Sequence, residues 1–162
     1  MTDTLWYPST QDVVKIHDDI VSEYSETTPG IQNLGDVEFA LEYIETGSFG
    51  EVPETIHEKV FYLLRLLVAN HPFVDGNKRT ALNTANVFYF LNGYRFDYDN
   101  EIRTILKQFG MDETAVDEDV VLEYLQEHTE EIDLAEAIEQ WRSELVDYGF
   151  TKLANDSSDS NE

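Results

Sequence analysis

An all-α single domain, a helical bundle interrupted by one short flap-like loop or hairpin, is the fold class that three observations predict. Apolar residues recur at three- and four-residue spacing along most of the chain. Clusters of glycine, proline and asparagine separate those stretches at short intervals. The 162 residues suffice for one core, and no stretch approaches the ~18 consecutive apolar residues of a membrane span.

The elements follow in order. Tyr7-Pro8-Ser9-Thr10 opens a first helix whose stripe is Val13, Val14, Ile16, Ile20 and Val21, and Thr27-Thr28-Pro29-Gly30 breaks it. A second helix is expected over 34–44, with Leu34, Val37, Phe39, Leu41 and Ile44 buried. Residues 46–53 hold two glycines and a proline and read as a loop or short hairpin. A third helix, 53–70, is apolar around much of its circumference through Phe61, Leu63, Leu64, Leu66, Leu67 and Val68, which places it centrally. Pro72 disfavours helical geometry at His71 and ends it. The next helix runs from Asn77 to Leu91 and stops at Asn92-Gly93. A short extended segment at Tyr94-Arg95-Phe96 and acidic-faced helices at 100–109, 117–128 and 132–147 complete the chain. The domain proper is expected over 1–130, an additional acidic helix over 131–154, and a disordered tail over 155–162, where Asp-Ser-Ser-Asp-Ser-Asn-Glu has nothing to bury.

Charge narrows the function classes. The chain carries 34 acidic and 10 basic residues, net −24. Two explanations stand: an acidic surface, with or without a basic partner, or adaptation to high salt, where ions screen self-repulsion over ~3 Å at 1 M. The second is favoured, because the acidity pervades helix surfaces and lysine is scarce. No basic stripe exists to release counterions from nucleic acid. Cysteine is absent, which removes disulfides, thiolate metal sites and a cysteine nucleophile. The N-terminal segment lacks the basic and apolar regions of a signal peptide, so a cytoplasmic location is expected. His57-Glu58 lacks the second histidine of a zinc protease motif, with Phe61 in its place.

The chemistry concentrates in residues 71–79, His-Pro-Phe-Val-Asp-Gly-Asn-Lys-Arg. A helix beginning at Asn77 offers free backbone N–H groups and the positive end of its dipole to an anion. Gly76 allows close backbone approach, and Lys78 and Arg79 add two cations. Asp75 is the kind of single carboxylate that holds Mg²⁺ among phosphates. His71 lies across the loop, with an ordinary pKa of ~6.5 suited to taking a proton from a hydroxyl. Phe73 is expected to anchor the loop in the core. Singly, each residue is more often a cap, a turn or a solvated pair. Together they point to transfer of part of a nucleotide to a hydroxyl.

This segment resembles the signature of Fic/Doc proteins, His-x-Phe-x-Asp/Glu-Gly-Asn-Gly/Lys-Arg, and the similarity extends over 7–94 and more loosely to His128. It passes through Ile16-His17, Pro29-Gly30-Ile31 and the Phe49-Gly50 loop. Enzymes of the family that transfer AMP have glycine where this chain has Lys78, and a second arginine where it has Leu82. Both departures resemble the Doc (death-on-curing) toxin branch. The resemblance implies a Fic/Doc-type bundle and a kinase that uses ATP and Mg²⁺, with a threonine or serine of a Tu-like translation elongation factor as acceptor. It implies His71 as general base, Asp75 as Mg²⁺ ligand, Gly76 and Asn77 as phosphate nest, and Lys78 and Arg79 as phosphate-neutralising cations. Asn83, one turn beyond Arg79, is a further candidate nucleotide contact. The loop at 46–53 is similar to a flap that aligns an extended target by strand addition, though a plain connector fits it too.

The family's self-inhibitory pattern, Ser/Thr-x-x-x-Glu-Gly/Asn, is not matched, since Ser22 to Glu26 is followed by Thr27 and Thr114 to Glu118 by Asp119. Inhibition is therefore expected from a cognate antitoxin with a disordered segment. Neither nucleic acid nor membrane is expected as a direct partner, and a homodimer remains open. The helix at 132–147, with Leu134, Ile138, Trp141 and Leu145 on one face, packs on the core, forms a dimer contact or covers the antitoxin groove, packing being favoured. Fic-type nucleotidyl (AMP) transfer and a non-catalytic Fic-fold binding protein are the alternative functions.

Overall fold

Ser9 starts the first helix by a reciprocal cap: its Oγ accepts from Asp12 N (3.1 Å), while Asp12 Oδ2 accepts from Ser9 N (2.8 Å). Helix α1 then spans Thr10–Glu23 and buries Val13, His17 and Ile20, one stripe at four- and three-residue steps. Helices α2 (Leu34–Thr46), α3 (Ile56–Ala69) and α4 (Asn77–Leu91) follow. Next come strand β1 (Tyr94–Phe96), α5 (Glu101–Asp112), a 3₁₀ turn (Glu113–Ala115), α6 (Glu118–Glu127), β2 (Thr129–Glu131) and α7 (Leu134–Asp159). The computed structural model describes residues 4–48 and 50–159, with side chains for all of these except Leu145 and 148–159.

The molecule is mostly helical, as expected, with α3 at its centre against α2, α4, α5 and α6. Val60, Leu63, Leu64 and Val68 are fully buried there. At about 25 cal/mol per Å² of apolar surface, a fully buried leucine or valine contributes roughly 1.5–3 kcal/mol, so α3 is the main source of cohesion. One buried residue on α3 is a cation: Lys59 is 1 % exposed and donates its Nζ to the Ile44 carbonyl, satisfying α2's last turn.

Several expectations change in detail. Leu34 and Phe39 are exposed, at 38 % and 47 %, because the buried stripe of α2 runs through Val37, Ala40, Leu41 and Ile44 instead. The third helix starts at Ile56 with Thr55 as its cap, rather than at Pro53. The extended segment at 94–96 pairs antiparallel with 129–131, a strand that the sequence did not announce. The 46–53 segment is a tight turn closed by Ser48 and Glu51, which exchange backbone bonds of 2.9 and 3.0 Å; Phe49 lies outside the described residues. Helix α7 continues to Asp159, beyond the expected end at 147 and into the stretch expected to be disordered, while 160–162 lie outside the described residues. Its Ile138 and Trp141 stay 43 % and 57 % exposed. Trp141 lines a shallow apolar hollow with Val87, Phe90 and Leu91 of α4. Among the described residues, no helix is long and apolar enough to cross a membrane.

Candidate active site

The loop 71–76 joins α3 to α4 and owes its shape to contacts on both sides. Its backbone is zipped to the α1–α2 connection: Gln32 N and Asn33 N donate to the Pro72 carbonyl (2.8 and 3.0 Å), and Val74 N donates to the Gly30 carbonyl (3.0 Å). Gly30 has φ +131°, and a Cβ there would press on Val74 Cγ2 at 2.9 Å. Inside the loop, Asn77 acts as a staple. Its Oδ1 accepts from Phe73 N (3.0 Å) and its Nδ2 donates to the Phe73 carbonyl (2.9 Å). Phe73, 1 % exposed, anchors the loop as expected and stacks on His17 with ring centroids 3.9 Å apart. His17 Nε2 bonds the Asp75 carbonyl oxygen at 2.8 Å, so that oxygen meets a protonated ring nitrogen.

Two positive-φ residues bracket the loop. His71 has φ +48°, which turns the chain sharply off the end of α3 and leaves the imidazole exposed. Neither ring nitrogen has a hydrogen-bond partner among the described residues, so both are available to a ligand. Gly76 has φ +78° and caps α4 with no side-chain bond to the helix. Among the described residues, the first backbone N–H groups of α4 therefore have no side-chain cap and are positioned for an anion. A Cβ on Gly76 would meet Thr27 Cγ2 at 3.2 Å, so the glycine answers to backbone shape and to Thr27 as well as to a ligand.

Asp75 has an exposed carboxylate, but it is not idle. Oδ2 accepts from Thr28 N (3.1 Å) and Oδ1 from Gly76 N (2.8 Å). These backbone donors, Thr28 first, hold its carboxyl below the usual 3.8, and Arg79 and His17 act in the same direction. An ionised carboxylate with one bond per oxygen keeps lone pairs for a hard cation, which fits Mg²⁺ bound largely by phosphate and water.

His71, Asp75, Gly76, Asn77, Lys78 and Arg79 all line one hollow of about 320 Å³. The sequence-predicted residues thus converge, with one refinement: the side chain of Asn77 holds the loop, leaving only its backbone to face an anion. Asn83 stands apart from the hollow, on the wall of a larger cavity of about 630 Å³ that shares Lys78 and Arg79 with it. Arg79 lays its guanidinium over the Tyr24 ring, 3.8 Å from the centroid, which fixes the cation's direction. The far wall of the cavity belongs to α5 and includes Arg103 and Lys107.

Sequence reasoning missed roles for His17, Tyr24, Thr28, Arg103 and Lys107. His17 carried a signal, since it occupies a core position between Val13 and Ile20. The α5 pair carried another: two cations four apart in a chain so poor in them.

The arrangement can hold a phosphate at a helix start, place a carboxylate for a cation beside it, and present an unengaged imidazole across the loop. Comparison with known families matches residues 7–89 to the Fic/DOC family. A comparison with curated proteins finds none that matches. The matched span covers just over half of the chain and contains the loop, its zipper partner and every residue that lines the hollow. The chain belongs to the Fic/DOC family.

Proposed function

We propose that this protein is a toxin of a toxin–antitoxin pair that moves the γ-phosphate of ATP to a threonine or serine hydroxyl of a Tu-like translation elongation factor. The observation that carries the transfer is the uncapped start of α4, with Lys78 and Arg79 in its first turn and the free His71 imidazole across the loop. Lys78 and Leu82, standing where AMP-transferring relatives have glycine and arginine, favour the γ-phosphate.

In this reading, a ring nitrogen of His71 accepts the proton of the attacking hydroxyl. The new bond forms between that oxygen and phosphorus, the bond to the departing ADP breaks, and the proton stays on the imidazole. The backbone N–H groups after Gly76, with Lys78 and Arg79, hold the negative charge of the moving group, so catalysis is positioning plus electrostatics. Asp75 would hold Mg²⁺, which supplies further neutralisation of phosphate charge. The Ser48–Glu51 turn offers its outer edge to an extended acceptor segment by strand addition. A separate antitoxin would block the site with a segment that folds on binding.

AMP transfer is the second reading, favoured by Arg103 and Lys107, which bring cations to a cavity also lined by Leu82. The deciding experiment supplies elongation factor, Mg²⁺ and ATP labelled at either the γ or the α phosphate, in molar salt, with His71→Ala as control. Label from γ only, lost by at least a hundredfold in the variant, is expected, since a positioned general base contributes ~10²–10⁴. Label from α would replace the kinase by a nucleotidyl transferase. No transfer to this factor or to host lysate, with partner binding intact in His71→Ala, would leave a non-catalytic binding protein.

A further inference from the structure

The ten cations of this chain are not spread like its 34 acids. Four of them, Lys78, Arg79, Arg103 and Lys107, line the single 630 Å³ cavity beside the loop. None of the four forms an ion pair among the described residues, whereas Arg95 and Arg142 have carboxylate partners. In a molecule with more than three acids per base, four exposed cations without an ion pair among the described residues, gathered around one space, make a local patch of opposite sign to the surface around it, which suits an anion.

Geometry separates the four into two grips. Lys78 and Arg79 belong to the start of α4, with the free backbone donors. Arg103 and Lys107 lie one turn apart on α5, exposed and flanking buried Ile102 and Leu106, which line the same cavity. The two helices meet beside the cavity: the stem of Lys78 passes Gly110 of α5, so that a Cβ there would touch Lys78 Cε at 3.5 Å. Two carboxylates share the lining, Glu23 and Asp99. Asp99 is occupied by Tyr124 Oη (3.0 Å), Glu101 N (3.0 Å) and His128 Nε2 (3.3 Å).

We propose that Arg103 and Lys107 are a second anion grip that holds the non-reacting phosphates of a nucleoside triphosphate while the α4 start holds the reacting one. This deepens the transfer reading and rests on it for the nucleotide, but not for the anion. It supplies from α5 the charge absent at Leu82, and it gives the site a preference for polyphosphate over a single phosphate. Arg103 can span two phosphate oxygens with its fork, and Lys107 adds a point charge one turn on.

The test is calorimetric titration with inorganic tripolyphosphate, and with phosphate, in molar potassium chloride. There the Debye length of ~3 Å leaves only cations in contact to distinguish the proteins. The variants are Arg103→Gln/Lys107→Gln and the charge-matched control Lys15→Gln/Arg142→Gln, all four positions being exposed. The expected result is tighter binding of tripolyphosphate than of phosphate, about a tenfold or greater loss in the α5 variant, and no loss in the control. The α5 variant should likewise raise KM for ATP more than it lowers kcat. Equal affinity in wild type and the α5 variant, or an equal loss in the control, overturns the proposal while leaving label transfer untouched. Intact tripolyphosphate binding without any label transfer would sink the transfer reading and leave the grip standing.

Discussion

Asn77 and Asn83 lie six residues apart on α4 and look alike in the sequence, yet their surroundings give them opposite weights. Asn77 is 8 % exposed and satisfies both the N–H and the carbonyl of Phe73. Asn77→Ala should cost about 1–3 kcal/mol in urea unfolding, because it strands two backbone groups beside the core. Asn83→Ala, at an exposed position, should stay within about 0.5 kcal/mol. If the two variants unfold alike, the staple is not what shapes the loop. The residue types of the site were legible because a nest, a cation pair and a carboxylate need particular chemistries at short spacing. The staple and the His17 prop were not, because both depend on bonds closed in three dimensions, one of them 58 residues long.

Among the elements, α3 and α4 were readable from periodicity alone, since a long apolar stripe has no competing interpretation. Strand β2 was not: Thr129-Glu130-Glu131 is too short and too polar to show alternation, and it exists because β1 offers an edge. The bend into β2 carries a pH signature. His128 stacks on Tyr124, and its Nδ1–H donates to the Tyr124 carbonyl (2.8 Å), with Asp99 and Glu127 as nearby negative groups. The carbonyl first, then Asp99, hold the imidazolium so that His128 titrates above its usual 6.5. A raised folded-state pKa means stability fully present below pH 6.5 and lost as pH rises through the folded value. Burial lowers His57 instead, so its contribution changes below 6.5 and leaves the upper window clear. Thermal midpoints should therefore decline as the pH rises above about 6.5, and His128→Gln should flatten that decline. An unchanged slope in the variant would assign the decline to other groups.

At the scale of the whole molecule, a net charge of −24 opposes compaction, and ions relieve it. The thermal midpoint should rise steadily from dilute buffer to molar potassium chloride, more than it does with an equimolar uncharged osmolyte. Equal gains from both would remove self-repulsion as the cause. Composition leads to this expectation but could not say that four cations would line one cavity, since Lys78 of α4 and Gly110 of α5 come together only once the chain has folded. The zipper between 30–33 and 72–74 has a consequence in time. It joins segments some forty residues apart, so the nine-residue signature acquires its shape only after α1, α2 and α3 have docked. A nascent or clipped chain can carry every letter of that signature and still have no nest. The shape of the candidate site thus depends on backbone bonds to the α1–α2 connection as much as on its own nine residues.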